Sequence, residues 1–232
     1  MNEKSGKAFN DSDHLDRHLV FTDDGSTSLE IPGMSEMYHS RKGAIKESQH
    51  VYIEHGLHHA DNKSIQILEI GMGTGLNVFL TYLDLVKSSG RTCCYHSLEP
   101  YPLNEQEWSK LNYHTLLNAD GKLLEKIHSS AWDTEVELNE HFVLVKYRDW
   151  LENFEPAVLY DVIYFDAFAP NKQQNPWQLS NVQKCYDALN KGGVLVTYCS
   201  QGKFKRNLQA VGFNVTNPEG PMGKREITVA FK

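Results

Sequence analysis

From residue 64 onward the chain alternates between two hydrophobic periods. Short, nearly continuous apolar runs, "IQILEI", "TCCYHSLEP", "YDVIYFDAF" and "GGVLVTYCS", read as buried strands. Between them lie stretches with helical spacing: "GLNVFLTYLDLVKSS", a region from about Leu103 to Ser130, another over Pro176–Asn190 and another over Gly202–Val211. Strand followed by helix, repeated, implies parallel strands joined by crossovers. "EVELNEHFVLVKY" is strand-rich and "DWLENF" is a short helical turn, while "GFNVTNP" and "EITVAFK" read as a closing antiparallel pair or near neighbours. Ahead of residue 64 the pattern differs. The polar first fifteen or so residues are expected to be disordered, "HLVFTDDGSTSLEI" sets two apolar runs around an Asp-Gly turn and predicts a β-hairpin, and Gly43 to about His59 predicts a helix. Residues 1–63 are therefore expected as an N-terminal extension packed on an α/β domain spanning 64–232.

Composition narrows the setting. A chain of 232 residues, 40% of them hydrophobic, can bury a sizeable core. No apolar run approaches the roughly 18 residues of a membrane span, and the polar N-terminus lacks the apolar centre of a secretory signal, so the expected compartment is the cytoplasm. Cys93, Cys94, Cys185 and Cys199 show no C-x-x-C spacing and are expected as buried thiols. His55, His58 and His59 in "HGLHH" have helical spacing, but no carboxylate or cysteine completes a ligand set, and no metal is expected. A net charge of −7 opposes non-specific attraction to a polyanion. A nucleic-acid partner would need a local basic surface, for which Lys203, Lys205, Arg206, Lys224 and Arg225 are candidates beside the alternative of scattered solvated side chains.

The chemistry concentrates at strand ends. In "ILEIGMGTGLNVFL", Gly71, Gly73 and Gly75 separate the first core strand from its helix, where glycine permits a sharp turn and close approach to a ligand. Leu76 stands where a dinucleotide fingerprint needs its third glycine, and no Lys-Ser/Thr pair follows as a phosphate loop requires. What remains is E-x-G-x-G-x-G, with Glu69 in the strand end. The next strand ends at Glu99, a place suited to accept hydrogen bonds from both hydroxyls of a ribose. The alternative is a tight turn and a strand-end acid with no ligand.

Those residues resemble the class I S-adenosylmethionine-dependent methyltransferases. The resemblance implies a Rossmann-like α/β fold with a seven-stranded, mostly parallel sheet whose last strand is antiparallel, and S-adenosyl-L-methionine as cofactor. It also implies cofactor contacts at Glu69, Gly71, Gly73, Gly75, Asn77, Glu99, Pro100, Asp149, Trp150 and Asp166, with Asp149 and Trp150 near the adenine. In that architecture ligands lie beyond the carboxyl ends of the strands, and Asp166 ends the fourth one, where a methyl acceptor would approach.

Three further segments narrow the family. "DAFAPNKQQNPW", "GGVLVTYCSQGKFKRNLQAVGF" and "GPMGKREITVA" are similar to motifs of the bacterial tRNA 5-methylaminomethyl-2-thiouridine methyltransferases (the MnmC-like methyltransferase domain), and "DGSTSLEIPGMSEMYHSRKGAIKES" resembles that family's opening. The implied reaction is methylation of the primary amine of 5-aminomethyl-(2-thio)uridine at the tRNA wobble position, with Asp166 catalytic. Phe168, Pro170, Lys172, Trp177, Ser200, Arg206, Lys224 and Arg225 become candidate contacts to the substrate and its anticodon loop, with Tyr198 a further aromatic near the base. Bifunctional members continue into a flavin-dependent oxidoreductase, so only the methylation half is expected here, with separate enzymes supplying the aminomethyl precursor. Gln173 and Gln174 depart from the family's loop. Three rivals stand beside this reading: an aminopropyl or small-molecule amine transferase on the same fold, a nicotinamide oxidoreductase, and a non-catalytic RNA-binding adaptor.

Overall fold

A computed structural model describes residues 15–87, 90–223 and 225–232; nearly all of the expected disordered start, and Lys224, lie outside them. The N-terminal part forms β1 (His18–Phe21), β2 (Thr27–Ile31) and β3 (Glu36–Met37), an antiparallel three-stranded sheet rather than a hairpin alone. The Asp-Gly turn closes as read, with the Asp24 carboxylate accepting from the Ser26 N–H at 3.0 Å. A short helix α1 (Ala44–Ser48) runs on through a wide turn over Gln49–Glu54.

The core follows as β4 (Ser64–Ile70), α2 (Leu76–Lys87), β5 (Thr92–Leu98), α3 (Glu105–Trp108), α4 (Tyr113–Leu116), α5 (Gly121–Ser129), β6 (Glu135–Asn139), β7 (Phe142–Tyr147) and β8 (Tyr160–Phe165). It closes with α6 (Leu179–Ala188), β9 (Leu189–Thr197), α7 (Gly202–Val211), β10 (Asn214–Thr216) and β11 (Thr228–Phe231). Among the described residues the main sheet has eight strands in the order β10-β11-β9-β8-β4-β5-β7-β6, one more than expected. The extra strand comes from "EVELNEHFVLVKY", which folds back on itself because the Asn139 side chain accepts from the His141 N–H at 2.8 Å and closes a turn. Its outer half, β6, is mostly exposed or half-buried and forms an edge. β11 runs antiparallel to β9, as the closing pair implied.

Alternation along the strands explains the layers. Ile65, Ile67, Tyr95, Val162, Tyr164 and Val196 face one core with α2, α5 and the N-terminal Val51 and Tyr52. Leu68, Ile70, Ile163, Phe165 and Leu195 face the other with α6 and α7. Strands buried on both sides read as continuous apolar runs, which is what made them visible. Chain connections leave β4 toward β5 on one side, and the chain returns as β8 on the other; such a switch point opens a crevice at the carboxyl ends.

Candidate active site

Strand register delivers three loops to one level. Ile70 pairs with Leu98 on one side and with Phe165 on the other, so Gly71, Glu99 and Asp166 leave the sheet together. The Gly71 N–H donates to Leu98 O and the Asp166 N–H to Ile70 O, each at 2.9 Å. Gly71 and Gly73 have φ of +92° and +51°, in the left-handed region. A Cβ at 71 would lie 2.6 Å from the Asp166 carbonyl oxygen, and one at 73 would lie 2.8 Å from the Tyr38 ring. Glycine is required at both positions, by backbone and by space.

Glu99 is enclosed. Its Oε2 accepts from the Gly73 N–H and its Oε1 from the Tyr101 N–H, both at 2.8 Å. Burial pushes its carboxyl above the usual range, while those two N–H groups and the Arg17 guanidinium act the other way. Asp166 is held at both oxygens: the Tyr52 hydroxyl donates to Oδ1 at 2.5 Å and the Asn77 amide to Oδ2 at 2.9 Å. Burial, then the nearby Asp166, raises the Tyr52 phenol well above its ordinary range, so it remains a donor.

These groups line a cavity of about 440 Å³, to whose wall Glu36 and Met37 of β3 and the following Tyr38 also contribute. Tyr38 meets Phe168 edge-on at 5.0 Å between ring centres. Lys172 donates to Met34 O at 2.5 Å and lies 4.0 Å from Glu36. Arg17, only 1% exposed in its side chain, donates to the Tyr38 hydroxyl at 2.8 Å, to Tyr101 O at 2.5 Å and to Glu107 at 3.2 Å.

Of the residues expected from sequence, Gly71, Gly73, Asn77, Glu99, Pro100, Asp149, Trp150, Asp166, Phe168 and Lys172 line this cavity. Asp149 also accepts from the Trp150 N–H at 2.7 Å and so braces its own loop. Glu69 does not reach it: strand alternation turns its side chain to the α2 face, fully buried, where Ser97 Oγ donates to Oε2 at 2.6 Å. Gly75 does not line it either; it turns against Ile127 and His128. Trp177, expected in the pocket wall, packs instead between Phe165 and Phe204, each at 4.7 Å, because the apolar α7 face lies behind it. Its indole N–H donates to Phe168 O at 2.9 Å. Pro170, Ser200, Arg206 and Arg225 also lie off the cavity; the last three are exposed. Lys205 pairs with Glu226 at 2.8 Å. Lys224 lies outside the described residues. Sequence reasoning missed Arg17, Tyr38 and Tyr52, whose local pattern differs in no way from that of packing residues.

In "HGLHH", His58 bonds Asp84 at 3.0 Å and His59 packs on Phe231. Among the described residues no group of three His, Cys, Asp or Glu side chains could hold a metal ion.

Residues 105–232 match the profile of a family described as S-adenosyl-L-methionine-dependent methyltransferase, more than half of the chain. The chain belongs to this methyltransferase family. Among similar curated proteins are the tRNA 5-methylaminomethyl-2-thiouridine biosynthesis bifunctional proteins MnmC of Burkholderia multivorans, 27% identical over 225 residues, and of Burkholderia thailandensis, 27% identical over 230. Each match covers 91% of this chain and 34% of the relative, so the chain spans about a third of the length of those proteins. The crystal structure of MNMC2 from Aquifex aeolicus superposes with a TM-score of 0.76 at 24% identity, over 95% of this chain and 72% of that one, which shows the shared fold.

The methyltransferase cavity suits the family's cofactor. Its volume falls in the range of roughly 300–1,000 Å³ usual for small-molecule sites. A Cβ would fill the glycine cradle at 73, and each Glu99 oxygen, with one N–H donor, keeps capacity to accept a ligand hydroxyl.

Proposed function

We propose that this methyltransferase methylates the primary amine of 5-aminomethyl-(2-thio)uridine at the wobble position of tRNA, giving the 5-methylaminomethyl product. The observation that carries the reading is Asp166: a carboxylate at the cofactor crevice, gripped by Tyr52 and Asn77 and roofed by Tyr38 and Phe168. The motifs around it and the names borne by the MnmC relatives support the same substrate. Gly71, Gly73, Asn77, Glu99, Pro100, Asp149 and Trp150 hold the cofactor, with Glu99 on the ribose hydroxyls.

S-adenosylmethionine, when bound, supplies an electrophilic methyl group on sulfur. The acceptor is an aliphatic amine with a pKa near ~10.4, which is mostly an ammonium without a free lone pair at neutral pH. Asp166 attracts that ammonium and receives its proton, directly or through water, as the nitrogen becomes a nucleophile. The nitrogen so freed would take the methyl group in exchange for the C–S bond of the bound cofactor, which would leave as a neutral thioether. Tyr52 and Asn77 fix the carboxylate so that the nitrogen is held in line, the main source of acceleration in such a transfer. Phe168, with Tyr198 in the same cavity lining, offers a face to an unstacked base. Arg206, Arg225 and Lys224 contact phosphates of the anticodon loop. The cytoplasm, where tRNA is modified, is the compartment this reading assigns, and separate enzymes supply the aminomethyl precursor.

The test is incubation with labelled S-adenosylmethionine and tRNA from cells lacking the modification, followed by nucleoside analysis. Label in 5-methylaminomethyl-(2-thio)uridine is expected. Label in a small amine only, or none despite intact cofactor binding, overturns the tRNA reading.

A further inference from the structure

Arg17 does not line the cavity, yet its side chain is 1% exposed and its guanidinium is committed to three separate segments around the site. Nε donates to the Tyr38 hydroxyl at 2.8 Å, Nη2 to Tyr101 O at 2.5 Å, and Nη1 to the two Glu107 oxygens at 3.3 and 3.2 Å. Two of these partners line the cavity themselves. The Tyr38 ring lies against Gly73, where an added Cβ would stand 2.8 Å from it, and meets Phe168 edge-on at 5.0 Å. The Tyr101 N–H donates to Glu99 Oε1 at 2.8 Å, and the Tyr101 ring meets Trp150 edge-on at 5.4 Å. The Gly73 N–H donates to Glu99 Oε2 at 2.8 Å, which closes a circuit from Arg17 through Tyr38, Gly73, Glu99 and Tyr101 back to Arg17. Glu107, the third partner, belongs to the capping box of α3, so the guanidinium is also anchored to the start of that helix.

We propose that Arg17 is a positioning residue for the nucleoside end of the cofactor: its fork sets the spacing between the Tyr38 ring on the glycine loop and the Glu99 carboxylate. Taking a cation out of water is costly, and apolar side chains of similar volume often pack as stably. Fastening the N-terminal segment to the core therefore does not by itself call for a guanidinium. Holding three segments at fixed directions does, because the five N–H groups of arginine lie in one plane, whereas an ammonium on a flexible stem acts as a point charge. The segments so held are the end of the small sheet, the loop after β5 and the first turn of α3, and the first two carry cavity-lining residues. The inference rests on Glu99 holding the ribose hydroxyls, as proposed above.

The experiment is calorimetric titration of the full chain, without tRNA, with two probes: S-adenosylhomocysteine, and methylthioadenosine, which keeps the nucleoside and lacks the amino-acid arm. Arg17→Lys, which retains a charge for Glu107 but loses the fork, is expected to raise Kd for both probes by a similar factor, about 10-fold. Tyr38→Phe, which keeps the ring and loses the bond to Arg17, is expected to raise both about 3-fold, with little further rise when combined with Arg17→Lys. In methylation assays Arg17→Lys should raise KM for S-adenosylmethionine and leave kcat at saturation within about 2-fold of wild type. A lower thermal midpoint with both Kd values unchanged would mean that Arg17 only fastens the fold, and overturns the proposal. Weakening confined to S-adenosylhomocysteine also overturns it, since the effect would then lie at the amino-acid arm. Glu99→Gln separates this inference from the ribose assignment. If that variant weakens neither probe, the assignment fails and the proposal with it; if it weakens both while Arg17→Lys weakens neither, the proposal alone falls.

Discussion

Asp166 is held at both carboxylate oxygens, by the Tyr52 hydroxyl and the Asn77 amide. Replacing it by Ala should leave cofactor affinity nearly intact and lower kcat by about 100-fold or more, the usual contribution of a positioned acid–base group; single-turnover kinetics beside calorimetric binding would separate the two effects. Tyr52→Phe removes a donor to a charged acceptor and should cost about 10-fold in kcat, read in the same assay, with cofactor affinity changing less. His128 is a second titratable group with a measurable consequence. It stacks on Trp108 at 5.6 Å and bonds Thr74 O at 3.0 Å, and burial pushes its imidazole down to about 4 against that bond, with the Lys146 ammonium adding to the depression. The unfolded chain binds that proton near 6.5 and the folded one only near 4. This group's contribution to stability is therefore complete above about 6.5 and lost as pH falls toward 4. Denaturant midpoints across that window should fall in the wild type and flatten in His128→Gln. Neither role is apparent in the sequence flanking Tyr52 or His128, because each depends on a partner far along the chain. Asp166 was legible because a carboxylate directly after the apolar run Val162–Phe165 is itself an anomaly.

The short elements around the cavity carry more than their length suggests. Helix α3 has four residues, too few to be stable alone, and it persists through a capping box in which Asn104 accepts from the Glu107 N–H and Glu107 accepts from the Asn104 N–H. The same Glu107 binds Arg17, so the cap of α3 also anchors the small N-terminal sheet. Asn104→Ala should cost about 1 kcal/mol of stability, measured as a lower thermal midpoint, and should weaken cofactor binding as the roof loosens. The rhythm of β4, α2, β5 and the later strands was readable because side-chain period is a local property. The division of 103–130 into three short helices, and the extra strand β6, were not, since short polar-faced pieces give weak periodicity. Trp177 shows the same limit: its loop motif suggested a pocket wall, while the apolar faces of β8 and α7 claimed the ring.

Over the molecule as a whole, a charge of −7 opposes non-specific attraction to a polyanion. On the proposed tRNA reading, binding would depend on a few cations, and Arg206 and Arg225 are both exposed. The double variant Arg206→Ala with Arg225→Ala should raise KM for tRNA with kcat little changed. It should also reduce the slope of log affinity against log salt by about 1 for each phosphate that is no longer neutralised, read by filter binding at several salt concentrations. An unchanged slope would remove these side chains from the interface.

Local chemistry along the chain was enough to reveal a doubly wound α/β sheet, a glycine loop entering a helix, and carboxylates at the ends of the second and fourth core strands, because period and backbone strain are carried by adjacent residues. Packing alone decided the rest. Tyr52 reaches Asp166 across 114 positions of sequence, Arg17 ties the N-terminal segment to the loop after Glu99, and strand alternation under α2 turns Glu69 off the cavity to the Ser97 hydroxyl. Those pairings are set by which surfaces bury each other, a property of the assembled layers and of no single segment.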